Sequence, residues 1–207
     1  MSPFVVLEGI DGCGKSTAAK TLVRRLGKQA VLTREPTDSW IGRAVKKPET
    51  PEISPYRDAL LFMADRAQHT IEISKLLARG KLVVSDRYYH STVAYQTAYL
   101  RRRRQGDMFD WLLDANMRIS VHPDMTFILD IPPEAGLMRI SARKESSRFE
   151  RLSFLREVRR NYLRLAKLDD SIIVMDGTMS PESVLEDMLL HIEEKKIYAV
   201  PHSKRRG

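Results

Sequence analysis

The chain has 207 residues, of which 43% are hydrophobic and 30% charged, so it can bury the core of one domain and is too apolar to be disordered. No apolar run approaches the roughly 18–20 residues of a membrane span, and Met1 to Leu7 lacks the features of a signal peptide. The single cysteine, Cys13, excludes an internal disulfide and a cysteine-rich zinc site. We therefore expect a cytoplasmic protein without membrane contact.

The net charge of +8 is concentrated in two short runs. Arg101 to Arg104 contribute four charges and Lys204 to Arg206 contribute three, which leaves +1 for the rest of the chain. Such runs favour a solvated basic surface over a surface that binds nucleic acid.

Short apolar runs alternate with longer amphipathic runs, which predicts strands that alternate with helices. The first half predicts strand Pro3–Leu7, helix Lys15–Leu26, strand Ala30–Thr33, short helix Ser39–Lys47, helix Tyr56–Arg79 with Ser54 as its cap, and strand Leu82–Ser85. The second half predicts helices Ser91–Arg101 and Met108–Ile119, strand Met125–Ile131, helix Pro133–Arg143, a mobile loop Lys144–Arg151, helix Leu152–Leu168, strand Ile172–Met175 and helix Pro181–Glu194.

Strands that are separated by helices pair in parallel, with right-handed crossovers. The predicted fold is therefore an α/β three-layer α/β/α sandwich with a five-stranded parallel sheet that binds ligands at the carboxyl ends of its strands. We find no internal repeat and no domain boundary, so we expect one domain over residues 1–196 and a basic tail over 197–207.

Residues 9–16 match the phosphate-binding pattern G-x-x-x-x-G-K-[ST], the P-loop, between a predicted strand and a predicted helix. The nucleotide-binding residues are Gly9, Ile10, Asp11, Gly12, Cys13, Gly14, Lys15 and Ser16, followed by Thr17. The glycines let successive N–H groups converge on one phosphate. Lys15 reaches the β- and γ-phosphates and Ser16 can bind Mg²⁺, so the motif predicts a nucleoside triphosphate and a metal ion as ligands. Cys13 has no histidine nearby in sequence and is interpreted as a small loop residue rather than a nucleophile.

A second metal-binding carboxylate is expected at the end of a strand. Asp86 follows Leu82–Ser85, and Asp130 follows Phe127–Leu129, so the pattern alone hardly separates them. Arg87 favours Asp86, because an arginine beside the metal-binding acid suits phosphoryl transfer.

The class of P-loop protein is narrowed by what the sequence lacks and by its arginines. There is no N-K-x-D guanine motif, and the chain is short for a motor or a helicase. Fixed cations suit phosphoryl transfer between two anionic nucleotides, because its transition state spreads negative charge over several oxygens. The arginines that could supply these cations are Arg34, Arg43, Arg66, Arg87, Arg143, Arg148 and Arg151.

Almost the whole chain resembles the thymidylate kinase family of P-loop nucleoside monophosphate kinases. The matching segments are Phe4 to Gly9 and the P-loop, Thr33 to Pro36, Leu61 to Arg66, Asp86 to Tyr88, Ser91 to Gln96, Pro123 to Asp130, and Arg143 to Glu150. The most specific of these are Asp-Arg-Tyr and Ser-Thr-x-Ala-Tyr-Gln. The resemblance implies transfer of the γ-phosphoryl of ATP to dTMP with Mg²⁺, and a homodimer.

The resemblance also implies the residues that hold the acceptor nucleotide. Phe62 would stack on thymine and Arg66 would donate to its O4, while Thr92 and Gln96 lie along the base edge and Tyr95 crowds the 2′ position of the sugar. A donor at O4 would reject cytosine. From the residues alone, Phe62 could equally be part of the core of its helix.

The resemblance further implies which residues contact the 3′-hydroxyl and the phosphate groups. Asp11 accepts from the 3′-hydroxyl, Arg43 and Arg87 bind phosphate, and Glu35 lies beside the acceptor phosphate and the metal. The match of Arg43 is weaker, because Thr37-Asp38-Ser39 stands where the family often has Gly-Gly-Thr and the chain is shorter before Arg43.

A short lid over about 143–151 completes the expected site. Some relatives carry a catalytic arginine directly after the acidic P-loop residue, where this chain has Gly12. The resemblance then assigns that charge to the lid, with Arg148 as first choice and Arg151 as the alternative, and it places Arg143 against adenine.

We thus predict a thymidylate kinase in which Lys15, Arg87, Arg148 and Asp86 are catalytic. The alternatives are another nucleoside monophosphate kinase and a P-loop nucleic-acid-binding protein.

Overall fold

The computed structural model describes residues 2–47, 54–139 and 145–195, with side chains of residues 145–150 outside the description. Its strands are β1 Phe4–Glu8, β2 Ala30–Arg34, β3 Leu82–Asp86, β4 Met125–Asp130 and β5 Ile172–Asp176. Its α-helices are α1 Lys15–Leu26, α2 Trp40–Val45, α3 Arg57–Ala78, α4 Tyr89–Arg102, α5 Phe109–Ile119, α6 Pro133–Arg139, α7 Glu145–Ala166 and α8 Pro181–Glu194. A short 3₁₀ helix, Gly27–Gln29, joins α1 to β2.

The five strands form one parallel sheet in the order β2-β3-β1-β4-β5. All residues of β1 are buried, because it is the central strand and helices cover both of its faces. Helices α1 and α8 pack together on one side, and α3, α4, α5 and α7 contact one another on the other. This arrangement confirms the predicted three-layer α/β sandwich.

The register of the central strands determines where the site forms. Leu7 of β1 pairs with Asp86 of β3 and with Phe127 of β4. The P-loop after β1, the turn after β3 and the residues after β4 therefore leave the sheet at the same edge, the carboxyl edge predicted to bind ligands.

Most predicted elements agree with the structure to within two residues. The predicted bounds of α1 and α8 are those observed, and each strand differs by no more than one residue at an end. Helix α6 is described over Pro133–Arg139, and the rest of the predicted helix to Arg143 lies outside the described residues. Within the described residues, no helix is long and apolar enough to cross a bilayer.

The predicted mobile loop over Lys144–Arg151 is wrong for residues 145–151. These residues form the first turns of α7, which begins at Glu145. The prediction used their low apolar content as a sign of a loop. Glutamate and arginine have good helix propensity, and the segment contains neither glycine nor proline, so its turns need no apolar face to be helical.

Candidate active site

The P-loop connects the buried strand β1 to helix α1 in a conformation that depends on glycine. Gly12 and Gly14 have φ of 83° and 93°, and Gly14 is the N-cap of α1. A Cβ on Gly12 would overlap the carbonyl of Gly136, because the loop lies against the backbone of α6. The loop thus leads directly into the N-terminus of α1, where the positive end of the helix dipole favours an anion such as phosphate.

Two side chains of the P-loop, those of Lys15 and Cys13, are buried in the structure. Lys15 is buried, with Nζ 3.4 Å from the carbonyl of Ile10 and 3.7 Å from Asp11 Oδ1. The thiol of Cys13 is also buried, and burial raises its pKa. A neutral, buried thiol fits a small loop residue and not a nucleophile.

The two strand-end carboxylates differ in their partners. Asp130 accepts hydrogen bonds from Arg159 at both oxygens, at 2.6 and 2.7 Å. Asp86 has a buried Oδ1 with no hydrogen-bond partner among the described residues. A buried carboxylate oxygen normally has a partner, so Asp86 is the carboxylate with an open position for a cation. No cluster of three or more metal-ligating residues occurs within the ranges described.

A cleft of about 250 Å³ opens between α3, α4 and the turn after β3. Its walls bring together five residues predicted to bind the acceptor, and the full lining is Pro36, Phe62, Arg87, Ser91, Thr92, Tyr95 and Gln96. Phe62 is only partly buried, so it is a wall of this cleft and not a core residue. Oε1 of Gln96 is buried without a partner among the described residues, which leaves it available to a ligand.

Arg87 connects this acceptor cleft to the P-loop. Its guanidinium pairs with Asp11, donates to Ser91 Oγ at 3.1 Å and lies 5.3 Å from the centre of the Tyr95 ring. The hydroxyl of Tyr95 accepts from the Asp11 backbone N–H at 2.9 Å. Burial raises the pKa of Tyr95, so this phenol keeps its proton at neutral pH and can donate it to a ligand.

Arg66 lies deeper than its predicted role requires. It is 1% exposed and donates to Glu35 Oε2 at 2.5 Å, to Thr92 Oγ1 at 3.0 Å and to Asn116. The other oxygen of Glu35 is 2.9 Å from His69 Nδ1. In this structure Arg66 reaches the acceptor cleft through Thr92, and Glu35 is bound inside the same network, so their direct contacts with the nucleotide stay predictions.

The segment that departs from the usual family sequence is anchored by Asp65. This carboxylate accepts from Thr37 N at 2.7 Å, from Thr37 Oγ1 at 2.5 Å and from Ser39 Oγ at 2.9 Å. Arg43 follows on α2 and donates to the carbonyl of Asp38 at 2.5 Å. Arg43 does not line the acceptor cleft, so its contact with phosphate also stays a prediction.

A second cleft of about 210 Å³ lies on the other side of the P-loop. It is lined by Cys13, Gly14, Thr17, Ala18, Thr21, Leu129, Arg139, Gly177, Met179, Pro181 and Val184. Most of these side chains are apolar, and Arg139 donates to the carbonyl of Gly12 at 3.1 Å. The P-loop motif predicts the residues that this cleft shares with the loop, whereas no motif marks Arg139, Met179 and Val184.

The lid arginines are described only in part. Arg143 lies outside the described residues, and Arg148 is in the first turns of α7, its side chain outside the description. Arg151 is exposed on the same helix.

Two members of the basic run at 101–104 form ion pairs, Arg101 with Asp107 and Arg102 with Glu157.

Comparison with known proteins agrees with this geometry. The sequence model described as thymidylate kinase matches residues 7–188. The chain belongs to the thymidylate kinase family. A probable thymidylate kinase of Thermococcus kodakarensis is 40% identical over 205 residues, which cover 92% of this chain and 97% of the relative. One of Methanosarcina barkeri is 39% identical over 197 residues, which cover 92% and 96%.

A solved structure supports the same family at the level of the fold. The thymidylate kinase of Candida albicans superimposes with a TM-score of 0.78 at 26% identity, over 98% of this chain and 96% of that chain. The family, the P-loop fold and the parallel sheet that the sequence predicted are therefore confirmed. A P-loop nucleic-acid-binding protein, the alternative motivated by the basic runs, is not favoured.

Proposed function

We propose that this chain transfers the γ-phosphoryl of ATP to dTMP, which yields ADP and dTDP for dTTP synthesis. The observation that carries the proposal is the position of Arg87, which lines the acceptor cleft and pairs with Asp11 of the P-loop. One cation thus lies between the place for a monophosphate and the place for a triphosphate. Membership of the thymidylate kinase family supports the same reaction.

The acceptor cleft has the chemistry that a thymine nucleotide needs. Phe62 offers a flat apolar face to a pyrimidine. The amide of Gln96, buried and with a free acceptor, can meet the N3–H of thymine. Tyr95 lines the cleft beside Arg87, and the family resemblance assigns it to the 2′ side of the sugar, where a bulky ring favours deoxyribose.

The second cleft is the proposed place for the base and ribose of ATP. It begins at the P-loop residues Cys13, Gly14 and Thr17, so a nucleotide whose phosphates occupy the loop extends into it. Arg139 is a planar cation at the wall of this otherwise mostly apolar cleft, and such a group can stack on a purine. The contact of Arg143 with adenine is kept as a proposal.

Asp86 and Ser16 fit the metal ion that the family implies. Asp86 offers a buried, unpartnered carboxylate oxygen, and oxygen ligands are what Mg²⁺ prefers. When bound, Mg²⁺ would neutralise charge on the ATP phosphates.

The protein itself acts by positioning and by charge. The acceptor phosphate oxygen is already ionised, so it forms the new bond to the γ-phosphorus without a strong general base, while the bond to the β-phosphate oxygen breaks and ADP leaves. Lys15 and Arg87 hold the reacting phosphates, and Arg148 adds the charge that Gly12 lacks. Closure of a lid that carries Arg148 excludes water, which would otherwise accept the phosphoryl group.

Turnover of a panel of monophosphates tests the proposed substrate. We expect ATP and Mg²⁺ to support phosphorylation of dTMP far above that of dCMP, AMP and GMP, with dUMP as the closest competitor. Lys15→Ala should abolish turnover and serves as the control for a contaminating kinase. A preference for AMP or dCMP would instead favour another nucleoside monophosphate kinase.

The lid assignment is tested by two matched variants on α7. Arg148→Ala should lower kcat by about 100-fold, because removing one donor to the transition state costs about 2.7–4 kcal/mol. Arg151→Ala should change kcat little. The reverse pattern would move the role to Arg151.

We also propose that the protein is a homodimer. Exposed apolar residues recur along one stripe of α3 at helical spacing: Leu60, Ala64, Ala67 and Ile71. Such a stripe is suited to pack against a second copy. Leu60→Glu should shift the mass measured by light scattering to that of a monomer, whereas Leu190→Glu on α8, at an equally exposed leucine (53% for both), should not.

Domain limits and location are proposals that rest on the sequence. We propose one kinase domain over residues 1–196 with a lid near 143–151 and a basic tail over 197–207. The single, buried cysteine fits a reducing cytoplasm.

A further inference from the structure

Glu8 is a carboxylate that the reaction does not use directly, and it is completely buried at the end of β1. Its Oε1 accepts from the backbone N–H groups of Tyr88 at 2.8 Å and Ser91 at 3.1 Å. Its Oε2 accepts from Ser91 Oγ at 2.6 Å and from the Tyr162 hydroxyl at 2.9 Å. Four donors therefore converge on this one side chain. Burying a carboxylate is unfavourable unless such bonds compensate. These four bonds do so, and each of them also holds a neighbouring segment to Glu8.

The segment that Glu8 holds is the turn that presents Arg87. Arg87 has φ of 74°, a left-handed conformation that is unfavourable for a residue with a Cβ. Its N–H donates to the carbonyl of Leu7 at 3.0 Å, and its carbonyl accepts from Ser85 Oγ at 2.7 Å. Directly after Arg87, Glu8 fixes the N–H groups of the following turn. The strained conformation persists because neighbours on both sides determine it.

A directed chain of hydrogen bonds connects the Arg87 side chain to Glu8. Arg87 Nη1 donates to Ser91 Oγ, and Ser91 Oγ donates to Glu8 Oε2. With two backbone N–H groups and two hydroxyls directed at it, the Glu8 carboxylate acts as the acceptor, so it fixes the direction of the serine proton. The lone pairs of Ser91 Oγ are thereby turned towards the guanidinium.

Glu8 also connects this turn to α7. Tyr162 on α7 donates to the same oxygen as Ser91, and its hydroxyl lies 2.9 Å from Ser91 Oγ. Helix α7 is also the helix whose first turns contain Arg148. This one carboxylate of the P-loop strand therefore contacts both the Arg87 turn and the helix whose first turns contain Arg148.

We infer that Glu8 is a positioning residue for phosphoryl transfer, which holds Arg87 in its reactive orientation through Ser91 and ties that orientation to α7 through Tyr162. This inference rests on the proposed role of Arg87. It differs from a purely structural role, because Glu8 then affects turnover only while Arg87 is present.

A double-mutant cycle tests the inference. Glu8→Gln keeps the shape and one acceptor oxygen, but its amide nitrogen cannot accept from Ser91. We expect kcat to fall by about 10- to 100-fold with the KM for ATP nearly unchanged, as for a misplaced catalytic group. In an Arg87→Ala background, the same substitution should change kcat by less than about twofold. Equal losses in both backgrounds, or wild-type turnover of Glu8→Gln, would overturn the inference.

Further variants test the same inference if the Glu8→Gln protein folds poorly. Ser91→Ala breaks the chain to Arg87 but leaves Glu8 its other partners, and it should show the same dependence on Arg87. Tyr162→Phe should lower kcat, whereas Tyr56→Phe, which removes a tyrosine hydrogen bond to Gln105, should not. If Ser91→Ala and Tyr162→Phe both keep wild-type kcat, the inference is wrong.

A spectroscopic readout separates this inference from the proposed function. In protein with ¹⁵N-labelled arginine, the Nε–H signal of Arg87 is assigned by its loss in Arg87→Lys. That signal should shift and exchange faster with solvent in Glu8→Gln. An unchanged signal refutes the positioning of Arg87 even if the protein does not phosphorylate dTMP, and absence of dTMP turnover in the wild type refutes the function alone.

Discussion

Substitution of Gly136 by alanine examines how closely α6 must approach the P-loop. A Cβ at this position would lie 2.6 Å from the carbonyl oxygen of Asp11, whereas ordinary contact begins at 3.4 Å. It would also lie 3.2 Å from Ile10 Cδ1. The loop and the helix must therefore separate by about 0.8 Å to admit one methyl group.

The expected result is a large loss of activity with a small loss of stability. Alanine is better than glycine inside a helix by about 1 kcal/mol, which partly offsets the roughly 1–3 kcal/mol that overpacking costs. The displaced atom is the carbonyl oxygen of Asp11, whose peptide group leads directly into Gly12 of the P-loop. A shift of this size should lower kcat/KM for ATP by about 100-fold.

Steady-state kinetics with varied ATP and urea unfolding of the same samples measure both effects. Met138→Ala is the control, because Met138 is on the same helix and 73% exposed. It should leave kcat/KM within about twofold of the wild type, as expected for an exposed site. Wild-type kcat/KM in Gly136→Ala would show that the loop tolerates the displacement, and the reasoning would be wrong.

Three further predictions concern stability, base binding and the metal. Burial lowers the pKa of His90 from 6.5 to about 3, so as the pH falls the unfolded chain takes up a proton at this histidine before the folded protein does. Between pH 7.5 and 5.0 the free energy of unfolding of the wild type should therefore fall by about 2 kcal/mol relative to that of His90→Leu, as measured by urea titration. Parallel pH profiles would contradict this account. Phe62→Ala should raise the KM for dTMP by about 10-fold, as expected from loss of base stacking, without changing the KM for ATP; equal changes in both would indicate a structural role. Asp86→Asn should lower kcat by about 100-fold, as for loss of a group that stabilises charge, whereas Asp130→Asn should mainly lower the melting temperature; the opposite outcome would identify Asp130 as the metal-binding acid.

Local patterns predicted the elements and the phosphate-binding loop well. The bounds of α1 follow from glycine spacing before Lys15 and from apolar residues at helical intervals, both of which lie within a few residues of one another. The strand ends at Asp86 and Asp130 were identified in the same way. Which of the two is free to bind a cation depends on Arg159, 29 residues beyond Asp130, and no local pattern contains that pairing.

Depth within the fold was harder to predict. Phe62 and Arg66 are four residues apart on α3, so both were expected at one surface of the helix. The structure buries Arg66 because Glu35 and Asn116, from a loop and from α5, close around it. The contact of Glu8 with Tyr162 spans 154 residues and likewise arises only from the packing of α7 on α4.

The two clefts that flank the P-loop share no lining residue. One takes its walls from α3 and α4, and the other from α1, α6 and α8. A substitution in the wall of one cleft therefore leaves every lining residue of the other unchanged. A synthetic molecule that joined an adenosine to a thymidine through a polyphosphate tether would have to pass Asp11 and Gly12, where Arg87 and Arg139 flank its path.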